Sequence, residues 1–102
     1  MKQFSVKRPA ETVTLNFRYT KDLASGETLL PGTMVVTAAT WKGTDPSPAA
    51  ILQGVPAVVG DRVLQQVTGG LDRVQYLVVA QVTTSAGNTL QLEGILPVEN
   101  PR

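Results

Sequence analysis

Arg73-Val74-Gln75-Tyr76-Leu77-Val78-Val79-Ala80-Gln81-Val82 and, beyond Ser85-Ala86-Gly87-Asn88, Thr89-Leu90-Gln91-Leu92-Glu93-Gly94-Ile95-Leu96-Pro97-Val98 decide the fold. In the first run Val74, Tyr76, Val78, Ala80 and Val82 alternate with Arg73, Gln75, Leu77, Val79 and Gln81, a repeat of two that suits a strand and not a helix. The second run sets Leu90, Leu92, Gly94, Leu96 and Val98 against Thr89, Gln91, Glu93, Ile95 and Pro97. Between them Gly87 or Asn88 takes positive φ at low cost, so the two runs read as a hairpin. Pro97 and Pro101 lack the N–H that a ladder needs and are expected to end the pairing.

The same alternation continues outward. Val13, Leu15, Phe17 and Tyr19 alternate with Thr12, Thr14, Asn16 and Arg18, which predicts a half-buried strand. After it, Thr20 to Gly26 suits one helical turn, capped by Thr20 and closed by Gly26. Met34 to Trp41 is rich in strand formers, but both of its faces are apolar or neutral and its inward face stays open. Arg62 to Val67 is a shorter strand, open between Val63/Val67 and Leu64 as the inward set. Ile51-Leu52 and Val55 to Val59 are candidate short strands, and Pro56 requires an edge or a bulge there. Val and Thr supply 26 of the 102 residues, and nine Gly and seven Pro punctuate them. About seven short strands without a substantial helix predict an all-β, immunoglobulin-like antiparallel β-sandwich. The expected layout is a flexible basic arm over residues 1–10, one sandwich domain over 11–99, and a tail over 100–102.

Composition narrows the chemistry. The chain has no Cys and no His, which removes disulfides, thiolate nucleophiles, imidazole acid–base catalysis and the usual zinc and iron sites. Nine basic against eight acidic residues give a net charge of +1, too balanced for a dedicated nucleic-acid surface. Behind Lys2, Lys7 and Arg8 no apolar run follows, so no signal peptide is expected, and no stretch has the roughly 18–20 apolar residues of a membrane helix. These features predict a chain made in the cytoplasm. The carboxylates Asp22, Glu27, Asp45, Asp61 and Asp72 sit at expected turns and strand starts. Nothing in their spacing forces a facing pair for glycoside hydrolysis or an Asp-x-Asp-x-Asp-Gly calcium loop, although Asp45 and Asp61 could converge at one sandwich end. Thr68-Gly69-Gly70 precedes a strand instead of a helix and lacks the amide-rich terminus that holds phosphate. No catalytic residue, metal site or cofactor is expected.

Asp72-Arg73-Val74-Gln75-Tyr76 resembles the approach to the penultimate strand of immunoglobulin-like domains, where a Tyr hydroxyl bonds back to the backbone. Trp41, on a strand in the first half, stands where such sandwiches keep a core Trp, and stacking a sugar or a partner is its other reading. The chain also resembles the small phage and prophage fiber–tail adaptor proteins over most of its length. The resemblance lies in Phe4…Lys7-x-Pro9 and the strand after it, in Leu23-x-x-Gly26-Glu27-x-Leu29, and in Gly69-Gly70. It continues in Tyr76-x-Val78 and in Val82-Thr83-Thr84-Ser85-x-Gly87. Residues 42–60, with two closely spaced prolines, lie outside that pattern. The resemblance implies an immunoglobulin-like sandwich with a structural, non-enzymatic place in the virion tail. Its partners would be other tail or fibre proteins and identical copies in a ring, with neither nucleic acid nor membrane involved.

Pro46 to Gly60 carries no charge while holding Ile51, Leu52, Val55, Val58 and Val59, more apolar surface than a loop ordinarily exposes. Either these residues are buried as short strands, or Phe4, Ile51, Leu52, Val55 and Val58 form a contact surface for a copy or a neighbour. Tyr76, Trp41 and Gly87 are the expected structural residues. A carbohydrate- or ligand-binding sandwich is the second reading. It asks for exposed aromatics beside Asp, Asn or Arg, whereas Phe17, Tyr19 and Tyr76 are already claimed by strand cores.

Overall fold

The computed structural model describes residues 2–100, and alternation governs what they form. The strands are β1 (Lys2–Gln3), β2 (Thr12–Arg18), β3 (Val35–Lys42), β4 (Leu52–Val59), β5 (Arg62–Thr68), β6 (Val74–Thr83) and β7 (Thr89–Val98), with a 3₁₀ turn at Pro48–Ile51. They make a four-stranded sheet in the order β1-β7-β6-β3 and a three-stranded sheet in the order β2-β5-β4. Every pairing is antiparallel except β1 with β7. The expected sandwich of about seven strands with no substantial helix is borne out among the described residues.

Strand β6 sets the inner surface. Val74, Tyr76, Val78, Ala80 and Val82 are all buried and stand opposite Val98, Leu96, Gly94, Leu92 and Leu90 of β7. The facing sheet contributes Leu15 and Phe17 from β2 and Val63 and Val67 from β5. Each fully buried valine is worth about 1.5–3 kcal/mol over exposure, so this interface dominates stability. Gln65 lies in the inward row of β5, yet it is satisfied: its Nε2 donates to the carbonyls of Gln53, Gly54 and Gln66. Those first two carbonyls belong to the β4 bulge, where the register shifts between Gln53 and Ala57. Strand β4 thus has both the edge position and the bulge that Pro56 requires.

Several expectations are corrected. Residues 2–10 are docked and not a free arm: Phe4 N–H bonds the Ile95 carbonyl at 2.8 Å and Lys7 N–H the Pro97 carbonyl at 2.9 Å. Phe4 packs edge-on against Phe17 at 5.5 Å between centroids, over Gly94, where a Cβ would come within 2.6 Å of its ring. Lys7 is only 1% exposed, and its ammonium donates to the carbonyls of Gly69 (2.6 Å), Arg8 (2.8 Å) and Pro9 (3.5 Å). Burial lowers its pKa from the ordinary 10.5. Pro97 does not end β7, which runs to Val98. Its carbonyl faces Lys7, so its missing N–H falls on the side away from β6 and no β6 bond is lost. Thr20 to Gly26 forms turns and no helical turn, because the Thr20 hydroxyl bonds Asp61 across the sandwich end instead of capping.

Trp41 is 48% exposed and not in the core. It shares outward parity with Val35, Thr37 and Ala39, and the bulge between Thr40 and Lys42 leaves it outside the ladder. Ile51 goes the other way, at 2% exposed, because the 3₁₀ turn points it into the core.

Polar groups pin both ends of the sandwich. At one end the Tyr76 hydroxyl accepts the Leu71 N–H at 2.9 Å and donates to Asp45 Oδ2 at 2.6 Å. Burial, with the Asp45 carboxylate beside it, pushes the Tyr76 pKa up to about 12. Tyr76→Phe keeps the ring but strands the Leu71 N–H and one Asp45 oxygen. The expected cost is about 1–2 kcal/mol, read as a fall in Tm of roughly 4–16 °C for a domain of this size. An unchanged Tm would show that this corner contributes nothing.

Candidate contact surface

The sandwich has two outer faces of opposite character. On the three-stranded sheet the outward rows are Thr12/Thr68, Thr14/Gln66/Gln53, Asn16/Leu64/Ala57 and Arg18/Arg62/Val59, which is mostly polar. On the four-stranded sheet they are Val35/Gln81/Gln91, Thr37/Val79/Glu93 and Ala39/Leu77/Ile95, then Trp41 and Lys42 beside Gln75/Pro97. Within these rows the only charges are Lys42 and Glu93. Val35 is 55% and Trp41 48% exposed, Leu77 and Val79 are half-buried by their neighbours, and Ile95 and Pro97 at the β7 end of the rows are buried. An apolar sheet face with so little charge is the composition of a buried protein–protein contact.

This face turns a corner at the β3 edge. There Pro31, Gly32 and Met34 face Val55, Pro56 and Ala57 of β4 across a shallow apolar cleft of about 490 Å³. Val55 stands at its lip, 90% exposed. The apolar surface is therefore continuous in kind from the four-stranded sheet round to the edge of the other one.

The residues singled out from sequence fall into separate places. Val55 is on the surface, whereas Leu52, Val58 and Phe4 are partly buried against the core and Ile51 is inside it. Trp41 joins the outward face described above, and Gly87 takes φ +84 in the β6–β7 turn. Val35, Leu77 and Val79 were missed. Their signal was present, since two of the outward positions between Arg73 and Gln81 are Leu and Val where a solvated face would be polar. Asp45 and Asp61 do not form a calcium site: Asp45 is held by Tyr76 and Ser47, and Asp61 by Thr20. Among the described residues no three metal-ligating side chains come together, and no helix is long and apolar enough to cross a membrane.

At the end opposite Tyr76, Glu27 fastens the β6–β7 turn. Its carboxylate accepts from the Ala24 N–H at 2.9 Å, from Asn88 Nδ2 at 3.0 Å and from the Thr84 hydroxyl. These bonds lower the Glu27 pKa below its ordinary 4.5, the Ala24 N–H contributing most. The neighbouring Leu29 is buried, at 4% exposed.

A nearly uncharged outer sheet face on an all-β sandwich is the kind of surface that structural assembly proteins bury. Residues 7–97 match the family of the podophage GP4 fiber-tail adaptor protein gp77, and the chain belongs to that family. It is a structural, non-enzymatic component of the podophage tail. The match spans residues 42–60 as well, the part whose sequence lies outside the resemblance. No curated protein and no solved structure matches the chain.

A carboxylate with a depressed folded pKa stabilises the fold above its unfolded pKa and loses that contribution as pH falls through the folded value. The Tm of the wild type is therefore expected to drop as pH falls below about 4.5, the ordinary value for Glu27. Glu27→Gln should start lower at neutral pH and show a shallower decline. Parallel Tm–pH curves for the two proteins would remove Glu27 from the account.

Proposed function

We propose that the adaptor meets its tail and fibre neighbours through the outer face of the four-stranded sheet, extended round β3 to Val55. The observation that carries this reading is the run Val35, Ala39, Trp41, Leu77 and Val79 on one outward face, interrupted only by Lys42 and Glu93 as charges. Stable assemblies bury such faces, because every apolar Å² removed from water contributes on the order of 25 cal/mol. The polar face of the other sheet is left toward solvent or toward a more weakly held neighbour. Leu52, Val58 and Phe4 support the contact from beneath, by fixing the β4 edge and the docked N-terminal segment. Association of identical copies, including closure into a ring, is part of this reading and draws on the same uncharged flank.

Leu52→Asp and Val58→Asp would burden the core and report on folding. Trp41→Ser and Val79→Lys change only the outward face, and in the second variant the introduced ammonium would stand opposite Glu93. Both variants should stay folded: Trp41→Ser within a few degrees, since exposed substitutions ordinarily cost less than about 0.5 kcal/mol, and Val79→Lys at a somewhat lower Tm, since Val79 is half-buried. Both should then fail to enter tails in a complementation assay. Folded variants that build infectious tails normally would end the proposal.

A further inference from the structure

The sandwich has two lateral flanks, and they differ in shape. On one, the edges β1 and β2 are neighbours, and the Lys2 ammonium reaches the Asn16 carbonyl at 3.1 Å. On the other, β3 and β4 are the neighbouring edges. The first flank is recessed. A cleft of about 240 Å³ opens there between the N-terminal segment, at Phe4 and Val6, and β2, at Val13 to Asn16. The strand beside this cleft is bare. It pairs with β5 in unbroken register over all seven residues, and among the described residues no backbone hydrogen bond is made on its other side. A regular edge of that length is one that proteins ordinarily cover or blunt. The second flank projects: Val55 stands 90% exposed on β4, within the uncharged run from Pro46 to Gly60.

Resting on the reading of identical copies as neighbours in the tail, we propose that copies join head to tail, the Val55 projection of one seated in the β1/β2 cleft of the next. A ring is built from a contact between two different patches, and a projection on one flank with a recess on the opposite flank supplies them. The ladders place the two at one height. Gln66 of β5 lies between Thr14 and Gln53, and Leu64 lies between Asn16 and Ala57. Val55 bulges out between those two rungs, so it stands level with Gln65 and Leu15, midway along the cleft. Copies joined this way repeat side by side with no step along the strands. A head-to-tail repeat that does not climb closes on itself, whereas one that climbs winds into a filament. Seat and projection also agree in chemistry. Phe4, Val6 and Val13 receive Val55, and no residue from 46 to 60 carries a charge to oppose the Lys2 that lines the cleft. Because this contact uses the flanks, the broad outer face of the four-stranded sheet stays free for tail and fibre proteins.

The test is self-association of the whole chain, by sedimentation equilibrium across a concentration series and by cysteine trapping. The wild type should associate reversibly into species larger than a dimer, which a two-fold contact would not produce. Val55→Asp, at an exposed position, should keep the wild-type Tm. It should weaken association at least about tenfold, because its carboxylate would lose water in an apolar seat. Val6→Asp, also exposed, puts a carboxylate on the cleft wall and should weaken it likewise. Mixed one to one, the two variants should form dimers and stop there, since the intact cleft of the first takes the intact projection of the second. In a chain without cysteine, Val55→Cys combined with Val6→Cys should oxidise to a ladder of disulfide-linked multimers, while Val55→Cys alone stays monomeric. Val79→Lys should associate as the wild type does while failing to enter tails, which separates this contact from the outer face. A wild type that stays monomeric into the hundreds of micromolar would overturn the proposal. So would a mixture that associates no better than its parts, or dimers from Val55→Cys alone, and in each case the outer face would stand or fall on Val79→Lys.

Discussion

The parity of β6 is the constraint on which everything else depends. Its ten residues pair on both sides, with β7 along the whole length and with β3 over most of it. Burying Val74, Tyr76, Val78, Ala80 and Val82 leaves Gln75, Leu77, Val79 and Gln81 facing out. A slip of one residue would exchange the two sets, so the hydrophobic pattern of one strand assigns the inward face of its whole sheet. The inner rows of β3 and β7 follow from it. So does the outward parity of Ala39, Leu77 and Val79, which leaves apolar side chains on that face because β6 spends its more continuous set of apolar residues inside.

Around that strand the two ends are closed by polar groups, and the chain positions most like those of the adaptor family carry them. Lys7 satisfies three carbonyls from within the protein and fastens the N-terminal segment to the Gly69 turn. Tyr76 ties the opening of β6 to Asp45, and Glu27 ties the turn after Ala24 to Thr84 and Asn88. Each replaces the water lost by backbone or side-chain groups at a loop, where an orphaned group costs about 1–3 kcal/mol. The motifs are thus scaffold. The proposed contact surface draws instead on residues that have no special chemistry and that no motif marks. That division suits an adaptor, whose work is to hold shape between neighbours in an elongated body of 46 × 21 × 19 Å.

Periodicity alone determined the class of fold, the inward rows of β2, β6 and β7, and the hairpin at Gly87, while composition excluded imidazole and thiol chemistry. Those are local properties: a repeat of two, a turn residue, a missing side-chain type. The fate of Trp41 and Ile51 was settled by tertiary structure. A bulge after Thr40 and a 3₁₀ turn after Ser47 decided their exposures, and neither irregularity has a periodic signature. The same holds for residues 2–10, whose few polar and aromatic side chains look solvated until Gly94 opens room for Phe4 and the Gly69 carbonyl meets Lys7. Surface chemistry was decided last, because an outward row is assembled from three strands distant in sequence. Ala39, Leu77 and Ile95 are adjacent only once the ladders form.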